Sequence, residues 1–306
     1  MIVVGGEALV DLVEDGDFLR PVPGGGPFNT AVALGRLDMA VAFLGTLSTD
    51  SYGDALAALL CEANVDTSLV RRSSAPTPLA IVRRTNGANA YTFYLVGTSL
   101  SDPPDVAALR PGAEVVHVGT LALAVEPPAS AYEALVGGTP MRAVILDPNV
   151  RPEVFGGQRE YRERFERLAR LATVVKMSDG DAAWIYPELA TEAAAEHVLA
   201  LGPRLVAVTL GERGAFAVSA AGRVRVAAVP VEVEDTVGAG DSFGAALLAA
   251  LVEENALSPE TALEDDLLER ALGFAATAAA ITCTRVGAVP PTRAEVDAWL
   301  VEPLAR

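Results

Sequence analysis

The sequence predicts an α/β fold in which helices cover both faces of a mostly parallel central sheet, with a small β-sheet beside it. Apolar segments with little polar alternation, typical of strands buried on both faces, recur along the chain. Longer segments with apolar residues at helical spacing separate them. Two further segments interrupt this alternation. Because no linker separates independent units, we expect a single domain over residues 1–306.

The predicted strands of the main sheet are residues 2–4, 41–44, 115–118, 143–147, 173–176 and 205–209. The predicted helices are residues 28–37, 51–62, 129–136, 161–172 and 191–201. The interrupting segments are residues 6–22, which continue past the first strand without a helix, and residues 79–96, two β-rich arms around Asn86 and Gly87. Sheets of this kind bind ligands beyond the carboxyl ends of their strands.

Charge and composition exclude several classes of function. The formal net charge of −17 argues against a nucleic-acid partner, which needs clustered Lys and Arg. An anionic substrate must therefore be held locally, by helix N-termini and backbone N–H groups. No apolar run reaches the roughly 18 residues of a membrane span, and the first residues lack the basic region of a signal peptide. We expect a cytoplasmic protein without a membrane partner.

Three residues with reactive side chains, two Cys and one His, are interpreted as structural. Cys61 and Cys283 stand far apart in apolar surroundings, which favours two buried free thiols over a disulfide. His117 lies within an apolar strand and is interpreted as a core residue without a catalytic role.

The strongest motif is the segment from Asp235 to Asp241, which reads DTVGAGD and precedes an apolar pattern at helical spacing. Gly238, Ala239 and Gly240 let the backbone approach a ligand closely, and their N–H groups at a helix N-terminus stabilise an anion. A carboxylate beside such an anion site is useful if it accepts a proton from an attacking hydroxyl. The structural alternative is that Asp241 only caps the helix.

A second glycine-rich motif covers residues 24–29 and ends in Asn29 before another helical pattern. Gly25 and Gly26 indicate a tight turn or close backbone approach, and the Asn29 amide suits a sugar hydroxyl. A helix cap is an equally good interpretation of Asn29 by itself. Asp11, at the end of an early apolar run, is either an acceptor for two hydroxyl groups or a solvated turn residue.

These motifs, in this order, resemble the two signatures of the PfkB/ribokinase family of sugar kinases, and the resemblance extends over almost the whole chain. It implies a ribokinase-like fold with a β-sheet lid over the sugar, formed by about residues 11–22 and 79–97. It implies ATP and a sugar as substrates, with Asp241 as the catalytic base and Gly238, Ala239 and Gly240 as the anion hole. Asp11, Gly25, Gly26 and Asn29 match the sugar contacts of the family.

The same resemblance places the nucleotide along Lys176, Ser178, Thr209, Gly211 and Gly214. Mg²⁺ is expected to arrive with ATP, and Asp181 matches a Glu that contacts its water shell in relatives, one methylene shorter. Many relatives also bind a monovalent cation such as K⁺. The matching positions, mostly through backbone carbonyls, are Asp235, Val237, Thr282, Arg285 and Gly287. Pro291 replaces a Ser of that cation site in relatives and leaves dependence on K⁺ open.

The details are most similar to the fructokinase branch, in the first residues and in the DPNVR segment ending at Arg151. Arg151 is expected at the substrate end of the cleft, or else at the surface. The competing interpretation is a kinase of 2-keto-3-deoxygluconate, whose relatives carry an Arg in the lid where this chain has Leu95. Tyr94 is predicted to contact the sugar, although it points to the opposite strand face from Tyr91 and Phe93.

Two other classes of function were weighed. A nucleotide-cofactor oxidoreductase predicts G-x-G-x-x-G after the first strand, and this spacing is absent. A non-catalytic sugar sensor is expected to lose the base or the anion hole, and this chain keeps both. The apolar residues on both faces of the hairpin, together with the resemblance, predict a homodimer formed through the lid.

Overall fold

The computed structural model describes residues 1–85, 88–109, 113–138, 141–155 and 157–301. Its strands are β1 Ile2–Gly5, β2 Leu9–Asp15, β3 Phe18–Gly24, β4 Val41–Ser48, β5 Val70–Ser73, β6 Leu79–Thr85, β7 Ala88–Tyr94, β8 Val115–Gly119, β9 Ala143–Asp147, β10 Val174–Ser178, β11 Leu205–Thr209, β12 Ala215–Ser219 and β13 Gly222–Val226. Its α-helices are α1 Gly26–Arg36, α2 Ser51–Glu62, α3 Pro128–Gly138, α4 Gln158–Ala169, α5 Asp179–Ile185, α6 Thr191–Leu201, α7 Ala239–Glu253, α8 Asp265–Cys283 and α9 Arg293–Val301.

The main sheet follows the order β13-β12-β11-β10-β9-β8-β1-β4-β5. Its strands from β11 to β5 run parallel, whereas β12 and β13 add an antiparallel edge. The predicted α/β class and the predicted strands of the sheet are confirmed. Strands β5, β12 and β13 were not predicted. The short segments of β5 and β13 carry Arg residues among their apolar ones, whereas β12 is a fully buried run of only five residues.

The sheet separates two apolar layers. Along β1, Ile2 and Val4 pack into one layer and Val3 into the other, since successive side chains of a strand point to opposite faces. The first layer is completed by α1, α2, α7 and α8, and the second by α3, α4, α5 and α6. Within the described residues, no helix is long and apolar enough to cross a membrane.

A second sheet follows the order β3-β2-β6-β7 and stands apart from the main one. It consists of two antiparallel hairpins joined by the parallel pair β2–β6. The predicted small sheet is therefore confirmed, while the Asn86–Gly87 turn lies outside the described residues. This sheet is called the lid below. The chain enters it after β1 of the main sheet, and β3 of the lid leads directly into α1.

Two details differ from the expectations. Helix α4 ends at Ala169, three residues before the predicted end. Beyond it, the N–H groups of Leu171 and Ala172 donate to carbonyl oxygens three residues earlier, as in a turn, and not four residues earlier, as in an α-helix. Cys61 and Cys283 are free thiols as expected, but Cys61 is exposed on α2 and Cys283 only half-buried. The apolar neighbours of Cys61 in the sequence lie on the other face of its helix, which is why the expectation of burial failed for this residue.

Candidate active site

A cavity of about 240 Å³ lies between the carboxyl edge of the main sheet and the lid. Of the residues selected from the sequence, the structure brings the following into its wall: Asp11, Gly25, Gly26, Asn29, Arg151, Val237, Gly238, Gly240 and Asp241. These positions come from both ends of the chain, and the parallel sheet collects them at one edge. The wall also contains polar residues that the sequence analysis did not select.

Asp241 lies in the first turn of α7 and is almost completely buried. Its Oδ2 accepts a hydrogen bond of 2.8 Å from Asn29 Nδ2. Neither residue caps its helix, because the N-caps are Gly238 and Gly25 and neither helix has a side-chain cap bond. Burial raises the pKa of Asp241 to about 6, against the lowering effects of the Lys176 charge and of the Asn29 hydrogen bond. This carboxylate is charged at neutral pH and is a stronger base than an ordinary Asp.

The backbone before Asp241 forms a cradle at the N-terminus of α7. Gly238 has a φ of 75°, and a Cβ there would lie 2.5 Å from Ala288 Cβ, so only glycine fits. The N–H groups of the first helical turn, at Gly240 and Asp241, have no partner within the helix. Together with the positive end of the helix dipole, they fit a phosphoryl group in the place where the sequence analysis expected one. Ala239 differs from the expectation, because its N–H donates to Thr236 O at 3.3 Å within the same loop.

The loop that follows β9 supplies two side chains. Asn149, with a φ of 35°, directs Nδ2 to 3.5 Å from Asp241 Oδ1 and 3.4 Å from Thr120 Oγ1. Arg151 donates to Asn149 Oδ1 at 2.8 Å and lies over the Tyr91 ring, 5.6 Å from its centroid. The expectation of Arg151 at the surface is therefore excluded. Asn149 was missed, although its place directly after a strand was a signal that could have found it.

Glu7 is a second residue that the sequence analysis missed. It follows β1, is buried, and accepts hydrogen bonds from Gly26 N at 3.2 Å and from Ala122 N at 3.0 Å. Burial raises its pKa to about 7, against the lowering effects of hydrogen bonds from the backbone of Glu7 itself and of Ala122. Glu7 therefore joins the glycine-rich turn to the segment after β8, and both segments line the cavity.

Asp11 extends from β2 of the lid into the cavity. Burial raises its pKa to about 7, with Arg151 lowering it and Asp241 raising it further. The interpretation of Asp11 as a solvated turn residue is thereby excluded. Its position on the lid, opposite Asn29 and Arg151, suits a group that accepts hydroxyl hydrogen bonds from a bound sugar.

Tyr94 requires a correction. Its side chain is 55% exposed and does not line the cavity, whereas Tyr91 and Phe93 do. These two rings stack with centroids 5.7 Å apart on the inner face of β7. The sequence predicted that the two sets face opposite ways, but not which set faces inwards, because both arms are apolar on each face. Leu95 is buried in the small apolar cluster beneath the lid.

The residues selected for the nucleotide lie along β10 and β11. Ser178 and Thr209 are paired neighbours at the carboxyl ends of these strands. Gly211 and Gly214 follow with φ of 59° and 84°, and a Cβ at Gly211 would meet open space. Lys176 differs from the expectation, because it is buried beneath the anion cradle and bound to Asp147, not exposed at the nucleotide edge. His117 is buried nearby, and burial lowers its pKa to about 3, so it stays neutral.

The residues that the sequence predicted to bind metals form two groups, Asp181 for Mg²⁺ and five positions for a monovalent cation. Both carboxylate oxygens of Asp181 accept hydrogen bonds from other groups of the protein: Oδ1 accepts from Val150 N at 2.7 Å, and Oδ2 accepts from Ser178 N and Oγ at 2.7 Å. It therefore fits a structural role beside the loop after β9 better than contact with a metal's water shell. No cluster of three or more His, Cys, Asp or Glu residues suited to a metal occurs in the part of the chain that the structure describes.

The monovalent-cation positions do come together. Asp235 Oδ2 accepts from Gly287 N at 2.9 Å, and its Oδ1 accepts from Thr236 N and Val237 N. Thr282 Oγ1 donates to Ser242 Oγ at 2.8 Å, which joins α8 to α7. Arg285 is directed away, towards Glu295 at 2.6 Å. The Asp235 carboxylate is thus occupied by backbone N–H groups, and the remaining donors for a cation are carbonyl oxygens, which suit K⁺ in chemistry.

Comparisons with known proteins agree with this geometry. The family model of the pfkB family carbohydrate kinases matches residues 2–295. A fructokinase of Rhizobium leguminosarum bv. trifolii is 36% identical over 266 residues, which cover 84% of this chain and 82% of the relative. The fructokinase of Vibrio cholerae O395, solved with fructose, ADP and calcium, superposes with a TM-score of 0.84 at 28% identity, and the fructokinase of Xylella fastidiosa, solved with ATP, with 0.88 at 26%; each match covers 98% of both chains.

The chain belongs to the pfkB family of carbohydrate kinases. It has the ribokinase-like α/β fold of that family and is an ATP-dependent carbohydrate kinase. The oxidoreductase and sensor interpretations are therefore set aside.

Proposed function

We propose that this kinase phosphorylates a neutral hexose, D-fructose in particular. The observation that carries the proposal is the set of ionisable groups in the cavity wall, to which the described residues contribute three acidic groups, Glu7, Asp11 and Asp241, and one cation, Arg151. The hydroxyl groups of an uncharged sugar form hydrogen bonds with carboxyl groups in either protonation state, whereas a substrate carboxylate is repelled by those that are charged, Asp241 foremost. The fructokinases of similar sequence and structure support the same substrate.

In the proposed mechanism, Asp241 accepts the proton of the attacking hydroxyl. Asn29 holds Oδ2 through a 2.8 Å hydrogen bond, whereas Oδ1 accepts only the longer 3.5 Å bond from Asn149 Nδ2 and keeps a lone pair for the substrate hydroxyl. The sugar oxygen then bonds to the γ-phosphorus of ATP while the bond from that phosphorus to the leaving oxygen of ADP breaks. The N–H groups of Gly240 and Asp241 offset the negative charge on the phosphoryl oxygens. Water is excluded by the aromatic inner face of the lid, at Tyr91 and Phe93.

The nucleotide is proposed to lie along Ser178, Thr209, Gly211 and Gly214, next to the anion cradle. Mg²⁺ enters bound to ATP, and it neutralises phosphate charge and keeps most of its waters, so few protein ligands are needed. Backbone carbonyls of residues 235–237 and 282–287 are proposed to hold a monovalent cation, K⁺ by its chemistry, whose positive charge would add to that of the anion cradle. ATP and free hexoses occur together in the cytoplasm, where we expect the enzyme to act.

An ADP-release assay tests the substrate and the base together. With the native enzyme, D-fructose is expected to give a kcat/KM at least about tenfold above that of 2-keto-3-deoxygluconate, a difference of roughly 1.4 kcal/mol. Arg151 is the one feature of the cavity wall that favours the sugar acid, and the opposite order of activities would establish that substrate instead.

The variant Asp241→Asn is expected to lower kcat on the preferred sugar by about 10²–10⁴-fold or more, with little change in ATP affinity, because only proton removal is lost. The exposed Asp266→Asn on α8 makes the same change of charge far from the cavity and serves as the control. Turnover near the native rate in Asp241→Asn would remove this residue from the mechanism.

A further inference from the structure

Lys176 lies on β10 directly against the first turns of α7, with only 4% of its surface exposed. A Cβ at Gly240 would lie 3.3 Å from Lys176 Nζ, and a Cβ at Gly244 would lie 3.8 Å from its Cδ. Gly240 and Gly244 are one turn apart, so the two glycines leave a groove on α7 that the lysine fills. The ammonium group thus lies beneath the anion cradle and outside the wall of the cavity.

A buried ammonium group at a helix N-terminus is electrostatically unfavourable unless anions compensate it. Lys176 Nζ donates to Asp147 Oδ2 at 2.9 Å, while the buried Asp147 Oδ1 has no hydrogen-bond partner among the described residues. Burial lowers the pKa of Lys176, but Asp147, Asp181 and Asp241 outweigh this effect and raise it above its ordinary value. Lys176 therefore keeps its charge, and the carboxylates that hold it include the proposed base.

The charged and hydrogen-bonding groups that act on Asp241 come from α1, from β10 and from β9 and the loop that follows it. The Asn29 amide on α1 donates a hydrogen bond to the Asp241 carboxylate, and the Asn149 amide after β9 lies 3.5 Å from it. Arg151, from the same loop as Asn149, brings a positive charge. Glu7 and Asp11 face it across the cavity as carboxylates. Beneath it lie Asp147 and Lys176, with Asp181 and the neutral His117 beyond them. Among the charges that act on the Asp241 carboxyl, Lys176 has the largest lowering effect on its pKa and Asp147 acts in the opposite direction.

We propose that Lys176 and Asp147 are positioning residues that act on the base in opposite directions: Lys176 keeps the Asp241 carboxylate in the charged form that accepts the sugar proton, and Asp147 limits that effect. The inference rests on the proposed role of Asp241. Lys176 keeps its own protons throughout the reaction, and the proton of the sugar passes to Asp241 and then to solvent. The pair thereby sets the lowest pH at which the kinase works.

The test is the pH dependence of kcat/KM for the preferred sugar at saturating ATP and Mg²⁺. The native enzyme is expected to lose activity as the pH falls through about 6, since the base becomes protonated. In Lys176→Met this acidic limb is expected to move up by about one pH unit, and in Asp147→Asn it is expected to move down. Protonation of ATP affects all variants equally, so the differences belong to the protein.

Opposite shifts support the proposal, because a loss of packing alone would not move the two limbs in opposite directions. Shifts of the same sign, or no shift in either variant, would overturn it. The double variant Lys176→Met with Asp147→Asn removes the whole pair and is expected to have its limb above that of Asp147→Asn. If Lys176→Met does not fold, this second comparison decides the sign of the lysine effect.

The variant Asp241→Asn separates the inference from the proposed function. If it retains turnover, the assignment of the base fails, and the inference fails with it. If it loses turnover while the acidic limbs of the pair variants do not move in opposite directions, only the inference about Lys176 and Asp147 fails.

Discussion

Glu7 joins two loops that come from distant parts of the sequence. It accepts backbone hydrogen bonds from Gly26 in the glycine-rich turn and from Ala122 after β8, which is 115 residues away in the chain. Every residue except proline has a backbone N–H group, so the sequence of neither loop predicts its hydrogen bond to Glu7. The carboxylate nevertheless connects two segments of the cavity wall, and it has no direct part in the proposed chemistry.

We expect Glu7→Gln to weaken sugar binding more than turnover. The Gln amide offers one acceptor and one donor, so one of the two backbone N–H groups loses its partner, at a cost of about 1–3 kcal/mol. The KM for the sugar is therefore expected to rise by roughly tenfold or more, with a smaller change in kcat. Steady-state kinetics measures both. Glu62→Gln, on the exposed face of α2, is the control, and an unchanged KM in Glu7→Gln would show that the two loops hold their positions without it.

The lid is the element whose inner face the sequence left undecided and the structure decides. Its arms carry apolar residues on both faces, and alternation along β7 puts Tyr91 and Phe93 together and Tyr94 opposite. Only the docking of the hairpin against β2 and over the cavity decides that the Tyr91 face is the inner one. The inner ring is further fixed by Arg151, which connects the lid to the loop after β9.

This arrangement predicts different outcomes for two otherwise similar variants. Tyr91→Ala removes an aromatic wall of the sugar cavity and a contact of Arg151, and we expect its KM for the sugar to rise by roughly tenfold, or about 1.4 kcal/mol. Tyr94→Ala removes an outer ring, and its KM is expected to stay within about twofold of the native value. Steady-state rates measured over a range of sugar concentrations, at one protein concentration, give both KM values. A larger effect at Tyr94 than at Tyr91 would reverse the assignment of the faces.

At the scale of the whole molecule, the outer side of the lid leaves large apolar side chains in water. Phe18 is 79% exposed at the tip of the β2–β3 hairpin, Leu19 and Tyr94 are also exposed on the same sheet, and Val96 is exposed just after β7. A concentration of apolar surface on one projecting element is typical of an interaction site. Since each chain presents the same surface, a symmetric pair of lids would cover it in both copies.

We therefore expect a homodimer whose interface includes the lid. Sedimentation velocity at micromolar concentration should give a mass of twice 31.7 kDa. Phe18→Lys places a charge in the proposed interface and should shift the protein towards the monomer, whereas Leu171→Lys, an equally simple change at an exposed apolar residue of the main domain, should not. A native monomer with full activity would show that the outer side of the lid faces solvent in the working enzyme.

The sequence by itself determined the α/β class, the strands of the parallel sheet apart from β5, the lid segments and the motif that ends at Asp241. These features depend on local patterns: apolar periodicity sets strands and helices, and glycines before a helix define the anion cradle. The tertiary structure decided which groups meet. Asn29 and Asp241 are 212 residues apart, and only the order of the sheet places them 2.8 Å from each other. The same is true of Lys176 and Asp147, and of the inner face of the lid. Such contacts depend on how strands and loops are arranged in space, which local sequence patterns do not encode.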